Sequence, residues 1–431
     1  MNPGDVRSAL WGDDVARVRT VIAVAFAVAC IAYLLVVHAA GIETEVIRDR
    51  YWKNAEPLFH GDFPATEYPP LAVLLFGIPR LFADSPWGYE TAYVAMMWVF
   101  MVSGLVAIDR MAALLDRSRR GAMGAYALLT LLMIEFVLDR FDMIVAVFII
   151  ASLLMVVSGR VRLSFLLLAV ATLLKVVPAI LFPVLVAGLL ADGRRRDAAE
   201  GAAVYMATGA VVMLAFWIVE PDSVTSFLSY NSSRPLQVES VAAALLYPLS
   251  ILGVSDMWIQ SATEEGSFLS DNLRGPLPDA VAAELLPVMV VAVAAVWAVY
   301  AATASRAPSA SRTGLLGAGC LAVILAFLVT NKVLSSQYLV WAFGPLLLAV
   351  LTSSYGASRR FFGLFVAVVV LTQVNFAYNI GYLGGGPNIG DLGMAILLAR
   401  AVLLVALLGF CLSRLVHAPR VPKDASADAS H

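Results

Sequence analysis

Four breaks between long apolar stretches carry the side chains best suited to chemistry: Asp139-Arg140-Phe141-Asp142, Lys175, the run Arg234 to Glu239, and the run Lys332 to Gln337. Ionisable groups at the ends of apolar spans are costly to desolvate, so each is a functional hypothesis. Arg140, Lys175, Arg234 and Lys332 are suited to holding a phosphate in a partly dehydrated pocket and to stabilising it as a leaving group. Asp142 and Glu239 can orient those cations through paired hydrogen bonds, or act as acids and bases. Asn231, Asn331, Gln237, Gln337 and Tyr338 add neutral donors and acceptors of the kind that bind sugar hydroxyls. For any one cation, snorkelling to lipid headgroups is the ordinary alternative.

The elements that must position these residues are membrane helices. Of 431 residues, 61% are hydrophobic and 14% charged, with mean hydropathy +0.85. Apolar runs of about twenty residues recur along the chain, the length needed to cross a hydrocarbon layer of about 30 Å. The basic loops are 110–120, 160–162, 194–196, 306–312, 359–360 and 414–423, whereas the alternate loops are acidic or neutral. The positive-inside rule makes the basic set cytoplasmic. The predicted spans are 20–41, 88–109, 122–138, 143–158, 161–175, 176–191, 203–219, 282–302, 315–331, 338–353, 361–380 and 394–413. These about 12 transmembrane helices make an all-α polytopic membrane protein with both termini cytoplasmic. The apolar pieces 70–83 and 241–254 are read as outer-side juxtamembrane or re-entrant helices.

Residues 1–19 form a cytoplasmic N-terminus, 20–413 a single membrane domain with outer loops 43–87, 220–281 and 381–393, and 414–431 a disordered cytoplasmic tail. Topology therefore puts all four charged breaks on the outer side. Loop 43–69 lies there too, with Glu45, Asp49 and His60 interleaved with Tyr51, Trp52, Phe59, Phe63 and Tyr68. Its ordinary reading is an amphipathic helix on the membrane surface, anchored by Tyr and Trp. Cys30, Cys320 and Cys411 fall inside apolar spans without metal-ligand spacing. The net charge of −2 says little, because the distribution of charge matters more than its sum, and no nucleic-acid partner is expected. The lack of any glycine-rich phosphate loop argues against an ATP-driven machine.

The run Tyr51-Trp52, Ala55, Gly61, Pro64 and Glu67-Tyr68-Pro69-Pro70-Leu71-Ala72 resembles the first outer loop of polyprenyl-phosphate-sugar-dependent membrane glycosyltransferases. Together with Arg140-Phe141-Asp142, Lys175-Val176-Val177-Pro178, Arg234 to Ser240 and Lys332 to Tyr338, it is similar to glycosyltransferase family 87 over roughly residues 20–380. Studied actinobacterial members of that family are α-1,2-mannosyltransferases, and the Ala, Val and Arg usage here suits a high-GC actinobacterium. The resemblance implies the GT-C fold with an active site facing the periplasm. It implies a polyprenyl-phosphate mannose donor and a cell-envelope glycolipid or lipoglycan acceptor, with no bound cofactor. Transfer with inversion needs a base for the acceptor hydroxyl. The family places a carboxylate shortly before an aromatic pair; here Asp49 is preferred and Glu45 is second, neither at the usual spacing. Asn231 stands where the family often has His, and Pro235 replaces a frequent glycine.

Two function classes stay open on the residues themselves. One is a transferase using lipid-linked mannose, with arabinofuranose as the nearest alternative sugar. The other is a secondary transporter or flippase that binds a phosphorylated lipid with the same cations. No His/Asp/Glu cluster has convincing metal-ligand spacing, so a metal requirement is left undecided.

Overall fold

The computed structural model describes residues 3–40, 45–377 and 391–419, with the side chains of 3–13, 45, 355 and 391 outside that description. The expected outer loop 381–393 therefore falls outside the described residues for most of its length, as does the tail from 420 onward. Seven described helices are long and apolar enough to cross a membrane: Asp14–Ala39, Pro86–Leu114, Arg195–Val219, Pro276–Arg306, Ser309–Thr330, Gly356–Asn375 and Leu392–Val416. Within the described residues all twelve expected stretches are helical, but five are shorter than that, and 122–138 is two helices, Arg119–Leu132 and Ile134–Asp139, meeting at Met133. At 1.5 Å per residue, a helix such as Asp142–Val157 is shorter than a full hydrocarbon layer. The chain divides into two compact units, residues 1–179 with 203–229 and residues 180–202 with 230–431.

In the first unit, Pro3–Ala39, Pro86–Leu114, Arg119–Leu132, Asp142–Val157 and Val161–Leu174 pack together. Sequence punctuation sets their starts. Ser85 and Ser118 accept hydrogen bonds from the backbone N–H groups of Gly88 and Gly121, both at 3.2 Å, satisfying otherwise orphaned donors. Pro69-Pro70 opens the helix Pro70–Arg80, where a missing N–H costs nothing. The segment before it folds back on the later chain: Ser226 donates to the Thr66 carbonyl at 2.8 Å, and Phe63 meets Phe216 at 5.0 Å.

The second unit is built around Ser309–Thr330, in which every residue from Leu315 to Leu328 is buried. Small residues allow its neighbours to approach. A Cβ on Gly317 would come within 2.6 Å of the Ala349 backbone nitrogen, and one on Gly319 would collide with the Tyr300 ring. Such close helix contacts take the place of a hydrophobic driving force inside a bilayer.

One departure from an all-α chain lies in the loop 255–281. Trp258–Gln260 and Asn272–Arg274 form an antiparallel pair, with Trp258 opposite Arg274 and Gln260 opposite Asn272. Three-residue strands cannot satisfy their own backbone. Leu273 N–H donates to the Leu236 carbonyl at 2.8 Å and Val238 N–H to the Asp271 carbonyl at 3.0 Å, so the second strand also serves the segment 236–238. Gly275, at φ +135°, makes the turn into Pro276–Arg306, where a Cβ would strike the Asp256 carbonyl.

The packing predicts an asymmetric response to a single methyl group. Gly317→Ala should lower the thermal unfolding midpoint of the detergent-purified protein, at a cost of ~1–3 kcal/mol for overpacking. Gly124→Ala, with nothing within 4 Å of the new atom, should not lower it. Equal midpoints would contradict the packing described.

Candidate active site

The first unit assembles its polar residues on an aromatic foundation. The helical turn Glu45–Trp52 puts Tyr51 inward, where it is 1% exposed, stacked on Phe76 at 4.2 Å and edge-on to Tyr68 and Phe141. Tyr51 is thus core rather than a membrane anchor. Asp49, two residues earlier, emerges on the other side with its side chain 45% exposed and an ion pair to Lys53 at 2.9 Å. Glu45 begins the same helix, and its side chain lies outside the described residues. His60 is exposed at the end of the turn Glu56–His60, which Gly61 closes at φ +87°.

Tyr68 sits at the edge of the cluster. Burial and the neighbouring Glu67 push its phenol well up, against the opposing pull of Arg50 and Arg140, so it stays a hydrogen-bond donor. Arg140 and Lys175, read from sequence as phosphate ligands, both face carboxylates. Arg140 lies 3.2 Å from Asp139. Burial works against the Arg140 charge, but Asp139, then Tyr51 and Tyr68, raise it above an ordinary guanidinium. Lys175 donates to Asp142 at 2.6 Å and lies 5.0 Å from the centre of the Phe141 ring. Asp142, at the start of Asp142–Val157, is buried.

An ion pair that the sequence reading missed supports this layer. Arg48 donates twice to the fully buried Glu90, at 3.0 and 2.7 Å, and lies 3.1 Å from the centre of the Trp87 ring. The available signal was an acid inside the span 88–109.

In the second unit, loop segments 234–240 and 331–336 are joined by backbone and side-chain bonds. Gln237 N–H donates to the Lys332 carbonyl and Leu334 N–H to Gln237 Oε1, both at 3.0 Å. Ser336 Oγ donates to Glu239 Oε1 at 2.8 Å. Glu239 also accepts from Gln237 at 3.3 Å, Asn375 at 3.2 Å and Arg400 at 3.4 Å. Burial pushes Glu239 up, and Arg400 and Ser336 pull the other way. Arg400 is 2% exposed and was absent from the sequence-based candidates.

This platform presents Arg234 and Lys332. Arg234 donates to Ser270 Oγ at 3.1 Å, and its Nε is buried without an acceptor among the described residues. Lys332 donates to the Ser232 carbonyl at 2.7 Å. Among the described residues neither cation has a carboxylate within ion-pairing distance. Burial and the like charge of Arg234 both lower the Lys332 ammonium from its usual 10.5. Tyr338 stacks on Trp341 at 4.3 Å, Gln337 is half-buried, and Asn231 is exposed near the end of Pro221–Ser233. No three His, Cys, Asp or Glu side chains among the described residues form a metal-ligand group. The structure thus brings together Tyr68, Arg140, Asp142 and Lys175 in the first unit, and Arg234, Gln237, Glu239 and Lys332 in the second.

The Arg234–Lys332 arrangement predicts how anion binding depends on pH. A lysine with a lowered proton affinity loses its charge at lower pH than an ordinary lysine. Affinity for dodecyl phosphate, measured by calorimetry, should therefore fall as pH rises through that lowered value. Arg234→Gln should weaken binding and move the alkaline decline to higher pH, because the like charge is gone. A decline that stays in place would contradict the coupling.

Comparison with known proteins places these observations in a family. No curated protein matches the chain. The family model of glycosyltransferase family 87 matches residues 66–330. That stretch contains Tyr68, Arg140, Asp142, Lys175, Asn231, Arg234, Gln237 and Glu239; it begins after Glu45, Asp49 and His60 and ends before Lys332, Gln337 and Tyr338. With more than half of its length matched, the chain belongs to glycosyltransferase family 87.

Proposed function

We propose that this multi-pass membrane glycosyltransferase moves a mannosyl residue, with inversion, from a polyprenyl-phosphate donor to a hydroxyl of a cell-envelope glycolipid or lipoglycan. The observation that carries the reading is the pair Arg234 and Lys332, two cations held by neutral acceptors with no carboxylate partner among the described residues. A site of that kind is suited to an anion that arrives with its own charge, such as a lipid phosphate. Arg140 and Lys175 are donor-phosphate ligands in the same proposal, and a phosphate reaching them would share or replace Asp139 and Asp142.

In the proposed reaction the acceptor oxygen attacks the anomeric carbon as the carbon–oxygen bond to phosphate breaks. The bond pair leaves with the lipid phosphate, whose charge the cations stabilise. The hydroxyl proton passes to a carboxylate, Asp49 as first choice and Glu45 as second. Asp49 supports this role by its exposure beside Lys53 on the helix that Tyr51 anchors. His60, Tyr68, Asp142, Asn231, Gln237, Glu239, Gln337 and Tyr338 are proposed to contact sugar or acceptor, directly or by orienting a neighbour. The GT-C fold, about 12 crossings, cytoplasmic termini and a periplasmic site belong to the same proposal.

Purified protein in nanodiscs, supplied with lipid-linked mannose or arabinofuranose and lipid acceptors, tests it by mass spectrometry of the products. Mannosyl transfer is expected. Transfer of arabinose instead would replace the sugar, and movement of the phospholipid without any transfer would replace the enzyme by a flippase. Arg234→Gln and Lys332→Gln should each lower kcat/KM for the donor by roughly 10- to 100-fold, the loss of one charge-assisted bond. Asp49→Asn should lower kcat by roughly 100-fold or more in folded protein. Full turnover of Asp49→Asn would transfer the base role to Glu45.

A further inference from the structure

Glu239 is a buried carboxylate, and the donors around it come from four separate parts of the chain. Its Oε1 accepts from Ser336 at 2.8 Å, Asn375 at 3.2 Å and Arg400 at 3.4 Å, while Oε2 accepts from Gln237 at 3.3 Å. Arg400 also donates its second terminal nitrogen to the Glu239 backbone carbonyl. One guanidinium therefore grips both the side chain and the main chain of the same residue. A lysine has the charge to do one of these things but not the planar fork to do both.

The residues held in this way are neighbours of the two cations that have no carboxylate partner among the described residues. Glu239 follows Arg234 on one loop segment, and Ser336 follows Lys332 on the other. Between them the Gln237 amide bridges the segments, donating to Glu239 and accepting from Leu334 N–H, and Gln237 N–H closes the link to the Lys332 carbonyl. Two like charges repel, so nothing intrinsic to Arg234 and Lys332 keeps them together. A rigid link between their backbones must do so.

We infer that Arg400 is a positioning residue: acting through Glu239, it fixes the segments 234–240 and 331–336 in register and so sets the spacing of Arg234 and Lys332 for the phosphate group of a long-chain lipid. Arg400 touches neither the phosphate nor the sugar. The inference rests on the proposed transferase for its kinetic consequence, but the binding of a lipid phosphate is independent of turnover.

Removing one member of a buried ion pair strands the other charge, so Arg400→Met alone combines misfolding with mispositioning. The double variant Glu239→Gln/Arg400→Met removes both charges and keeps the Glu239 side-chain volume. It should unfold within a few degrees of the parent while its affinity for dodecyl phosphate falls at least tenfold. Arg400→Lys should recover folding and only part of the affinity. If transfer is observed, the donor KM of the double variant should rise at least fivefold, and that of Arg400→Lys by less. A double variant that folds and binds dodecyl phosphate as tightly as the parent would overturn the inference, and so would a parent that does not bind dodecyl phosphate. A parent that binds dodecyl phosphate but transfers no sugar would overturn the transferase reading and leave the positioning claim to be decided by the binding data.

Discussion

Repulsion between two like charges is the constraint on which the second unit's loop architecture depends. Burial and the like charge of Arg234 both lower the proton affinity of Lys332, and neutral acceptors take the place that acids usually fill. Such a pair is stable only if the backbone carrying it is held independently. The Gln237 amide, the Lys332 carbonyl and the short strand at Asn272–Arg274 supply backbone partners, and Glu239 with Arg400 anchors them below. Free energy released in packing and hydrogen bonding elsewhere is what maintains an arrangement that electrostatics alone would disperse. Sites that await a charged ligand are commonly organised in this way.

The first unit solves a different problem. Its cations are matched: Arg140 with Asp139, Lys175 with Asp142 and Arg48 with Glu90. Arg140 and Lys175 lie next to the aromatic cluster of Tyr51, Phe76, Tyr68 and Phe141, and Arg48 lies over Trp87. A charge beside that aromatic core has little water to solvate it and must find a partner in the protein. The residues that read as equivalent cations in sequence therefore have unequal chemistry. Arg140 and Lys175 each face a carboxylate, whereas Arg234 and Lys332 donate to neutral acceptors and have no carboxylate within ion-pairing distance among the described residues.

Much of this was legible in the sequence, because charged residues in an apolar chain stand out. The breaks at Arg140, Lys175, Arg234 and Lys332 fall at helix ends as expected, and the pairing of Asp142 with a nearby cation was anticipated from their types. Helical stretches were legible for the same reason, as apolar periodicity is the strongest local signal. Partnerships over long separations were not. Arg400 lies 161 residues from Glu239 and 42 separate Arg48 from Glu90, so neither link leaves a local pattern. Strands as short as Trp258–Gln260 carry no readable alternation, and the interruption at Met133 falls within a run that reads as one span. Tyr51 and Trp52 read as membrane anchors by type, yet Tyr51 faces the protein because Phe76 and Phe141 offer a better-packed surface.

The most direct test of the account is the position of phosphorus in a cryo-electron microscopy map of the protein bound to a polyprenyl phosphate. The account predicts density for the phosphate within hydrogen-bonding reach of Arg234 Nε and Lys332 Nζ, with Glu239 and Arg400 still joined beneath it. A phosphate seated away from Arg234 and Lys332, with those two side chains unchanged, would contradict it.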